Sequence, residues 1–355
     1  MAETVPPDLG PFAQKWSEDA GAYLLQCGDL GWHDLQSMSS LGRRSFASAL
    51  LLTILVGAPA CALNPYSVTV TGVSSSTRTI EASLAEPGPI AHEVVISGYW
   101  STKRKGLINL QHPEAKAAGL ENGEVPIVLS VHVLRHPEHG LFVIDTGVSQ
   151  ARVDGEPDGA KGLAKSVLKG LKAERSLASI VEAGGGDLRG VLLTHMHFDH
   201  VLGLDDVPIS VPLFTGPGES AAKRFGNGLL RATYRELLRD REIREWTFDE
   251  APVKDPLAGA VDFFGDGSLW VLPCPGHTPG SVAYLVRSTA GPLLITGDTS
   301  HTHWGFEHGV EPGTFTDDQE GNARSLSALR DLARKYQIPT YVGHEEGTTL
   351  LDGQG

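Results

Sequence analysis

From about Ile90 the chain alternates short apolar runs with longer segments that are apolar on one side only. EVVISGYW (93–100), PIVLSVHVL (126–134) and LFVIDTG (141–147) predict strands, the last ending in an acidic turn. Between Lys161 and Glu182, apolar residues at Leu163, Val167, Leu171, Leu177 and Ile180 fall close to helical spacing, and Gly184-Gly185-Gly186 predicts the stop. GVLLTHMHFDH (190–200) predicts a buried strand running into a histidine-rich loop. Asn227 to Trp246 carries Leu230, Tyr234, Leu237 and Leu238 on one face and many charges on the other, which predicts an amphipathic surface helix. SLWVLPCPGH (268–277), VAYLV (282–286) and LLITGD (293–298) predict further strands. Leu326, Leu329, Leu332 and Tyr336 predict a late helix before PTYVGH (339–344). No internal repeat of fixed period is present. Helices interleaved with short strands predict an α/β domain in which helices cover sheets.

Ahead of this domain, FASALLLTILVGA (46–58) is nearly all apolar and follows Arg43-Arg44. At a rise of about 1.5 Å per residue the run falls short of a hydrocarbon core of about 30 Å. It suits the apolar region of a secretory signal, with the arginine pair as its charged start and the small Ala58, Ala60 and Ala62 near a cleavage site. Met38 offers an alternative start just before it. The arginine pair followed by Ser45-Phe46 resembles a twin-arginine signal, and Ala60-Cys61 resembles a lipoprotein cleavage site with Cys61 as lipid anchor, although Pro59 fits poorly there. The expected organisation is therefore an extension and signal-like segment over 1–61, a Ser/Thr-rich tether or short edge strand over 62–90, and one catalytic domain over 91–352. Export to the periplasm or beyond is the expectation. A buried helix in place of the signal would leave the protein cytoplasmic.

The 355 residues include 43 acidic and 29 basic ones, a formal net charge of −14. Removing the first 60 leaves the chain acidic. That argues against a nucleic-acid partner, since duplex binding rests on Lys and Arg neutralising phosphates. Three cysteines exclude a disulfide-stapled scaffold and a four-cysteine zinc site. With no stable span expected in the mature chain, a small-molecule substrate is the expected partner. The oligomeric state is left open.

The 14 histidines change the picture. His195-Met196-His197-Phe198-Asp199-His200 puts four ligand-capable side chains directly after an apolar strand. In extended backbone His195 and His197 point the same way. A turn must then swing Asp199 and His200 elsewhere, which divides the ligands into two sets for two ions. His277 in PCPGHTPGS, Asp298 in ITGDTSH and His344 in YVGHEE each end a strand, where a rigid sheet can aim a ligand. Any of these three alone reads as an ordinary loop residue. The cluster at 195–200 does not, because packing ionisable groups together costs desolvation unless a cation offsets it. Five histidines and two carboxylates suit zinc first, with manganese, cobalt or iron as alternatives.

Together with Asp145-Thr146-Gly147, these motifs resemble the metallo-β-lactamase superfamily over about residues 91–350. The resemblance implies a four-layer αββα sandwich with a dinuclear site at one edge. It implies His195, His197 and His277 on the first metal, Asp199, His200 and His344 on the second, Asp298 bridging both, and Asp145 steadying the metal loop. The bridging aspartate argues against a true β-lactamase. Only eleven residues follow His344, too few for the glutathione-binding extension of glyoxalase II. RNA-processing members usually carry extra domains and basic surfaces, and persulfide dioxygenases need one iron alone. What remains resembles the lactonase branch, with one departure: where quorum-quenching lactonases commonly place a tyrosine three residues after the bridging aspartate, this chain has His301.

The function expected is a dinuclear hydrolase. Two cations sharing a water lower its pKa toward about 7, and the bridging hydroxide attacks an ester or lactone carbonyl. Asp199 or Asp298 would accept the proton, and His301 would donate to the developing oxyanion, with His303 and Trp304 beside it. Phe225, Tyr234, Trp246 and Phe306 are candidates for an apolar pocket or for core. Cys274, three residues before His277, reads as a small buried strand residue. The alternatives are a phosphotriester or phosphodiester hydrolase on the same site, and a di-iron redox protein.

Overall fold

A computed structural model describes residues 67–71, 79–221, 225–248 and 259–352. The signal-like segment, Met38 and Cys61 lie outside the described residues, as does part of the tether expected over 62–90. No helix among the described residues is long and apolar enough to cross a membrane.

The strands in chain order are β1 (Ser67–Thr71), β2 (Ala91–Lys103), β3 (Glu124–His136), β4 (Gly140–Ile144), β5 (Lys172–Ala173), β6 (Leu188–Leu192), β7 (Leu213–Thr215), β8 (Glu242–Trp246), β9 (Val261–Asp262), β10 (Leu269–Pro273), β11 (Val282–Ser288), β12 (Gly291–Ile295) and β13 (Thr340–Tyr341). They form two sheets. The larger runs β1-β8-β7-β6-β4-β3-β2-β5 and the smaller β13-β12-β11-β10-β9. β1 pairs in parallel with β8 at the sheet's edge, Ser67 opposite Glu242 through Thr71 opposite Trp246.

Alternation along the strands sorts side chains into layers. Leu134, Ile144, Leu192, Phe214 and Trp246 of the larger sheet meet Leu269, Val271, Val282, Tyr284 and Ile295 of the smaller one in a continuous core. Each such side chain taken fully from water contributes roughly 1.5–3 kcal/mol. On the smaller sheet's other face, Trp270, Leu272, Leu285 and Leu294 pack on Leu326, Leu329 and Leu332 of the helix Gln319–Tyr336. On the larger sheet's other face, Val131, Val143, Val191 and Leu213 pack under Leu177, Ile180, Leu204 and Leu237. The order is helix, sheet, sheet, helix: the four-layer αββα sandwich.

Two expected helices are divided. Lys161–Glu182 becomes the helix Leu163–Val167, the strand β5 and the helix Leu177–Ala183. Gly170 at φ +98° turns the chain so that Lys172 and Ala173 pair with Tyr99 and Gly98 of β2. Asn227–Trp246 becomes the helix Phe225–Leu237 followed by β8. Ile243 and Trp246 of β8 lie on opposite faces of the sheet, one beneath the helices and one between the sheets.

β4 and β6 run parallel, as do β12 and β13, and β10 shares the direction of β12 because both oppose β11. The C-terminal ends of these five strands therefore meet at one edge of the sandwich. There Val282 N–H donates to Thr194 O at 2.9 Å and links the sheets.

Candidate metal centre

Each strand end at this edge delivers one part of the site. After β6 the chain bends at Thr194 and passes through His195 and Met196 to His197, the extended N-cap residue of the helix Phe198–Val201. That turn separates Asp199 and His200 from His195 and His197, as the spacing requires. β10 leads to His277, β12 to Asp298 and β13 to His344. Gly297 takes a left-handed φ of +51° to present Asp298. Gly343 lies against Asp298 Oδ1 so closely that any Cβ there would collide with it.

The ligand-capable atoms converge in groups. His195, His197, His277 and Asp298 form one, Asp199, His200 and His344 a second, and Asp298, His301 and His344 a third. The Nδ1 of His197 lies 2.9 Å from His195 Nε2 and 2.9 Å from His277 Nε2. Asp298 Oδ2 sits at the middle: 3.6 Å from His195 Nε2, 3.4 Å from His277 Nε2, 3.4 Å from His200 Nε2, 3.3 Å from His344 Nε2 and 3.0 Å from His301 Nε2. Asp199 Oδ2 is 3.6 Å from His344 Nε2 and 4.0 Å from His200 Nε2. Metal–nitrogen bonds of about 2.0–2.1 Å in a tetrahedron put neighbouring ligand atoms roughly 3.3 Å apart. The observed separations suit such ligand shells. His200 Nε2 and Asp298 Oδ1 are buried without a hydrogen-bond partner, an expensive arrangement that a cation would relieve. The residues present fit two divalent ions.

The outward nitrogens fix the rings. His200 Nδ1 donates to Asp145 Oδ2 at 2.8 Å, His344 Nδ1 to Val128 O at 3.0 Å, and His195 Nδ1 lies 3.1 Å from Thr194 Oγ1. Asp145, at a left-handed φ of +58°, also accepts from Thr194 N–H at 2.9 Å and Thr194 Oγ1 at 2.9 Å. Such outer partners set the tautomer that leaves Nε2 open as a ligand. Burial and the neighbouring rings push His195 and His277 well below the usual histidine range. Burial opposes charge on His344, but the Asp298 and Asp199 carboxylates outweigh it and hold the ring up at about 9. Burial likewise opposes ionisation of Asp298, and the encircling rings reverse it, holding the carboxyl well below the usual range.

Sequence reasoning missed two bracing residues. Glu219, buried after β7, accepts from Met196 N–H at 2.9 Å through Oε1, and from Gly280 N–H at 3.0 Å and Thr278 Oγ1 at 2.8 Å through Oε2. One carboxylate thus ties the loop carrying His195 and His197 to the turn carrying His277. Asn322, fully buried on the late helix, accepts from His277 N–H at 3.0 Å and donates to Thr299 O at 3.0 Å, next to Asp298. Neither stands in a motif.

The site floors a cavity of about 760 Å³. Its walls include Trp100, Leu107, Ile127, Phe198, Leu230 and Phe315, and no lysine or arginine lines it among the described residues. Of the aromatics that stood as candidates for pocket or core, none of the described ones lines the cavity. Trp246 and Phe306 are core, Tyr234 donates its hydroxyl to Met196 O at 2.8 Å, and the Phe225 side chain lies outside the described residues. Phe198 is the one aromatic of the wall that stands inside a chemical motif. Of the SHTHW stretch only His301 reaches the cavity; His303 binds Glu346 O and Trp304 stacks on His308. Cys274 is buried, and burial pushes its thiol up to about 12.

A family model described as the metallo-beta-lactamase superfamily matches residues 127–344. Gamma-lactamase FDB1 of Fusarium pseudograminearum is 33% identical over 241 residues, which are 61% of this chain and 57% of the relative. N-acyl homoserine lactonase AttM of Azorhizobium caulinodans is 29% identical over 233 residues, 62% of this chain and 82% of the relative. Among solved structures, a quorum-quenching N-acyl homoserine lactone lactonase superposes with a TM-score of 0.51 at 20% identity, covering 73% of this chain and 94% of that one.

Proposed function

The chain belongs to the metallo-beta-lactamase superfamily, and on that premise we propose that it hydrolyses the carbonyl of a small lactone or ester with two bound divalent cations, zinc first among them. One observation carries the reading: five imidazole nitrogens surround one buried carboxylate oxygen at the floor of an apolar-walled cavity. When bound, the cations supply an acidified water as nucleophile and a Lewis acid for the carbonyl oxygen.

The chain's own residues do the rest. His195, His197 and His277 would hold one ion and Asp199, His200 and His344 the other, with Asp298 between them. Asp199 lies on the cavity wall and is less enclosed than Asp298. Its carboxylate takes the proton released at the nucleophile and returns it to the leaving group. Trp100, Phe198 and Phe315 hold an apolar substituent and exclude water. With no lysine or arginine among the described lining residues, nothing from the side chains pairs with an anionic substituent, so a neutral substrate fits best.

The lactonase relative supports a lactone. The gamma-lactamase relative, the more similar by identity, favours a cyclic amide as a second reading. The attack is the same, but an amine leaving group needs a proton, which makes Asp199 indispensable. The test is a panel of N-acyl homoserine lactones, γ-lactams, aryl esters and neutral organophosphates, followed by acid release from the zinc-loaded protein, with Asp298→Asn as control. Ring opening that is lost in the control supports the proposal. Turnover of organophosphates alone would overturn it.

A further inference from the structure

The superfamily resemblance gives His301 no metal to hold, and its expected task was to donate a hydrogen bond to substrate. The ring is wired differently. His301 is buried, 2% exposed, and its Nδ1 lies 3.1 Å from Leu107 O. A carbonyl oxygen only accepts, so Nδ1 carries the hydrogen and in the neutral ring Nε2 is left with its lone pair. That lone pair faces inward, 3.0 Å from Asp298 Oδ2, a closer approach than any of the other four imidazoles makes to that oxygen. Two acceptors so placed are reconciled either by a second proton on the ring or by a metal ion that both of them ligate.

His344 offers a direct comparison within the same site. Its Nδ1 donates to Val128 O at 3.0 Å and its Nε2 lies 3.3 Å from Asp298 Oδ2. The two rings stack with centroids 5.3 Å apart and planes 28° apart, and His344 N–H donates to His301 O at 3.0 Å. They are held as a pair with the same tautomer and the same aim. With Asp298 they form a third cluster of converging ligand atoms, all within 4.8 Å of one another.

We propose that His301 is a metal ligand: its Nε2 joins Asp199, His200, His344 and the bridging Asp298 on the second ion, so that each ion carries three imidazoles. The inference rests on the dinuclear reading above. The second ion is then the more fully enclosed by protein, and His301 acts through the metal rather than by donating to substrate.

The test reads the metal and not turnover. In protein loaded with an NMR-active cadmium isotope, ring protons of metal-bound histidines show scalar coupling to cadmium. Coupling at His301 as well as at the five motif histidines is expected. Coupling at those five with none at His301 overturns the inference while leaving the dinuclear reading intact, and a protein that binds no cadmium overturns both. In parallel, His301→Ala, checked for fold by circular dichroism, is expected to bind one zinc equivalent at least about 10–100-fold more weakly in competition with a chromophoric chelator, the range that loss of an outer partner already reaches. His301→Asp, which returns a ligand atom, restores part of that loss. Unchanged zinc affinity with a lowered kcat/KM would instead make His301 a donor to substrate.

Discussion

Glu219→Gln probes whether one buried carboxylate holds the two halves of the metal site together. Glu219 is 3% exposed, and its two oxygens accept from three donors: Met196 N–H, Gly280 N–H and the Thr278 hydroxyl. Glutamine keeps the shape but offers a single oxygen. If that oxygen stays with Gly280 and Thr278, the amide NH2 meets Met196 N–H donor to donor. If it stays with Met196, Gly280 N–H loses its acceptor, while the Thr278 hydroxyl turns to Ser281 Oγ, 2.6 Å away. Either way a charge-assisted bond worth about 1.5–3 kcal/mol disappears, and at least one buried donor is left unpaired at about 1–3 kcal/mol. A net loss of about 2–4 kcal/mol is expected in urea unfolding of the metal-free protein. Met196 lies between His195 and His197, and Thr278 follows His277, so the ligands of the first ion also lose their common brace. Zinc affinity is expected to fall about 10–100-fold. A variant within about 0.5 kcal/mol of wild type, as surface substitutions are, with unchanged zinc affinity would refute the bracing role.

Asp145→Asn can turn its NH2 toward His200 Nδ1, favouring the tautomer whose hydrogen faces the metal; we expect about 10–100-fold weaker binding of one zinc equivalent, and equal binding of both equivalents would count against it. Away from the site, His92 Nε2 lies 3.1 Å from His132 Nδ1, and burial lowers the His92 pKa to about 4. Because the folded pKa lies below the unfolded value of 6.5, the stabilisation is complete above pH 6.5 and is lost as pH falls through about 4, by at most about 3 kcal/mol. Urea unfolding across that range should show a shallower pH slope in His92→Phe than in wild type; parallel slopes would contradict this.

The side chains that converge at the candidate metal centre were legible because their signals are local: a six-residue cluster and three turns, each at a strand end. The αββα layers were legible through the resemblance that those motifs carry; the apolar runs by themselves predicted only helices covering sheets. What escaped depends on distance along the chain. Glu219 and Asn322 look like surface residues in sequence, and only folding brings Glu219 to Met196 and Gly280, or Asn322 to His277. Trp100 and Phe315 face the cavity from segments with no chemical motif. The helix expected from Lys161 to Glu182 failed for a related reason: pairing of Lys172 and Ala173 with β2 outweighs the local apolar spacing.

The central claim is that His195, His197, Asp199, His200, His277, Asp298 and His344 hold a pair of cations. Elemental analysis of protein equilibrated with excess zinc and then passed through a desalting column tests it most directly. Two zinc ions per chain are expected, with a loss of at least one in Asp298→Asn. A wild-type chain that retains none, or an Asp298→Asn variant that retains both, would contradict the account.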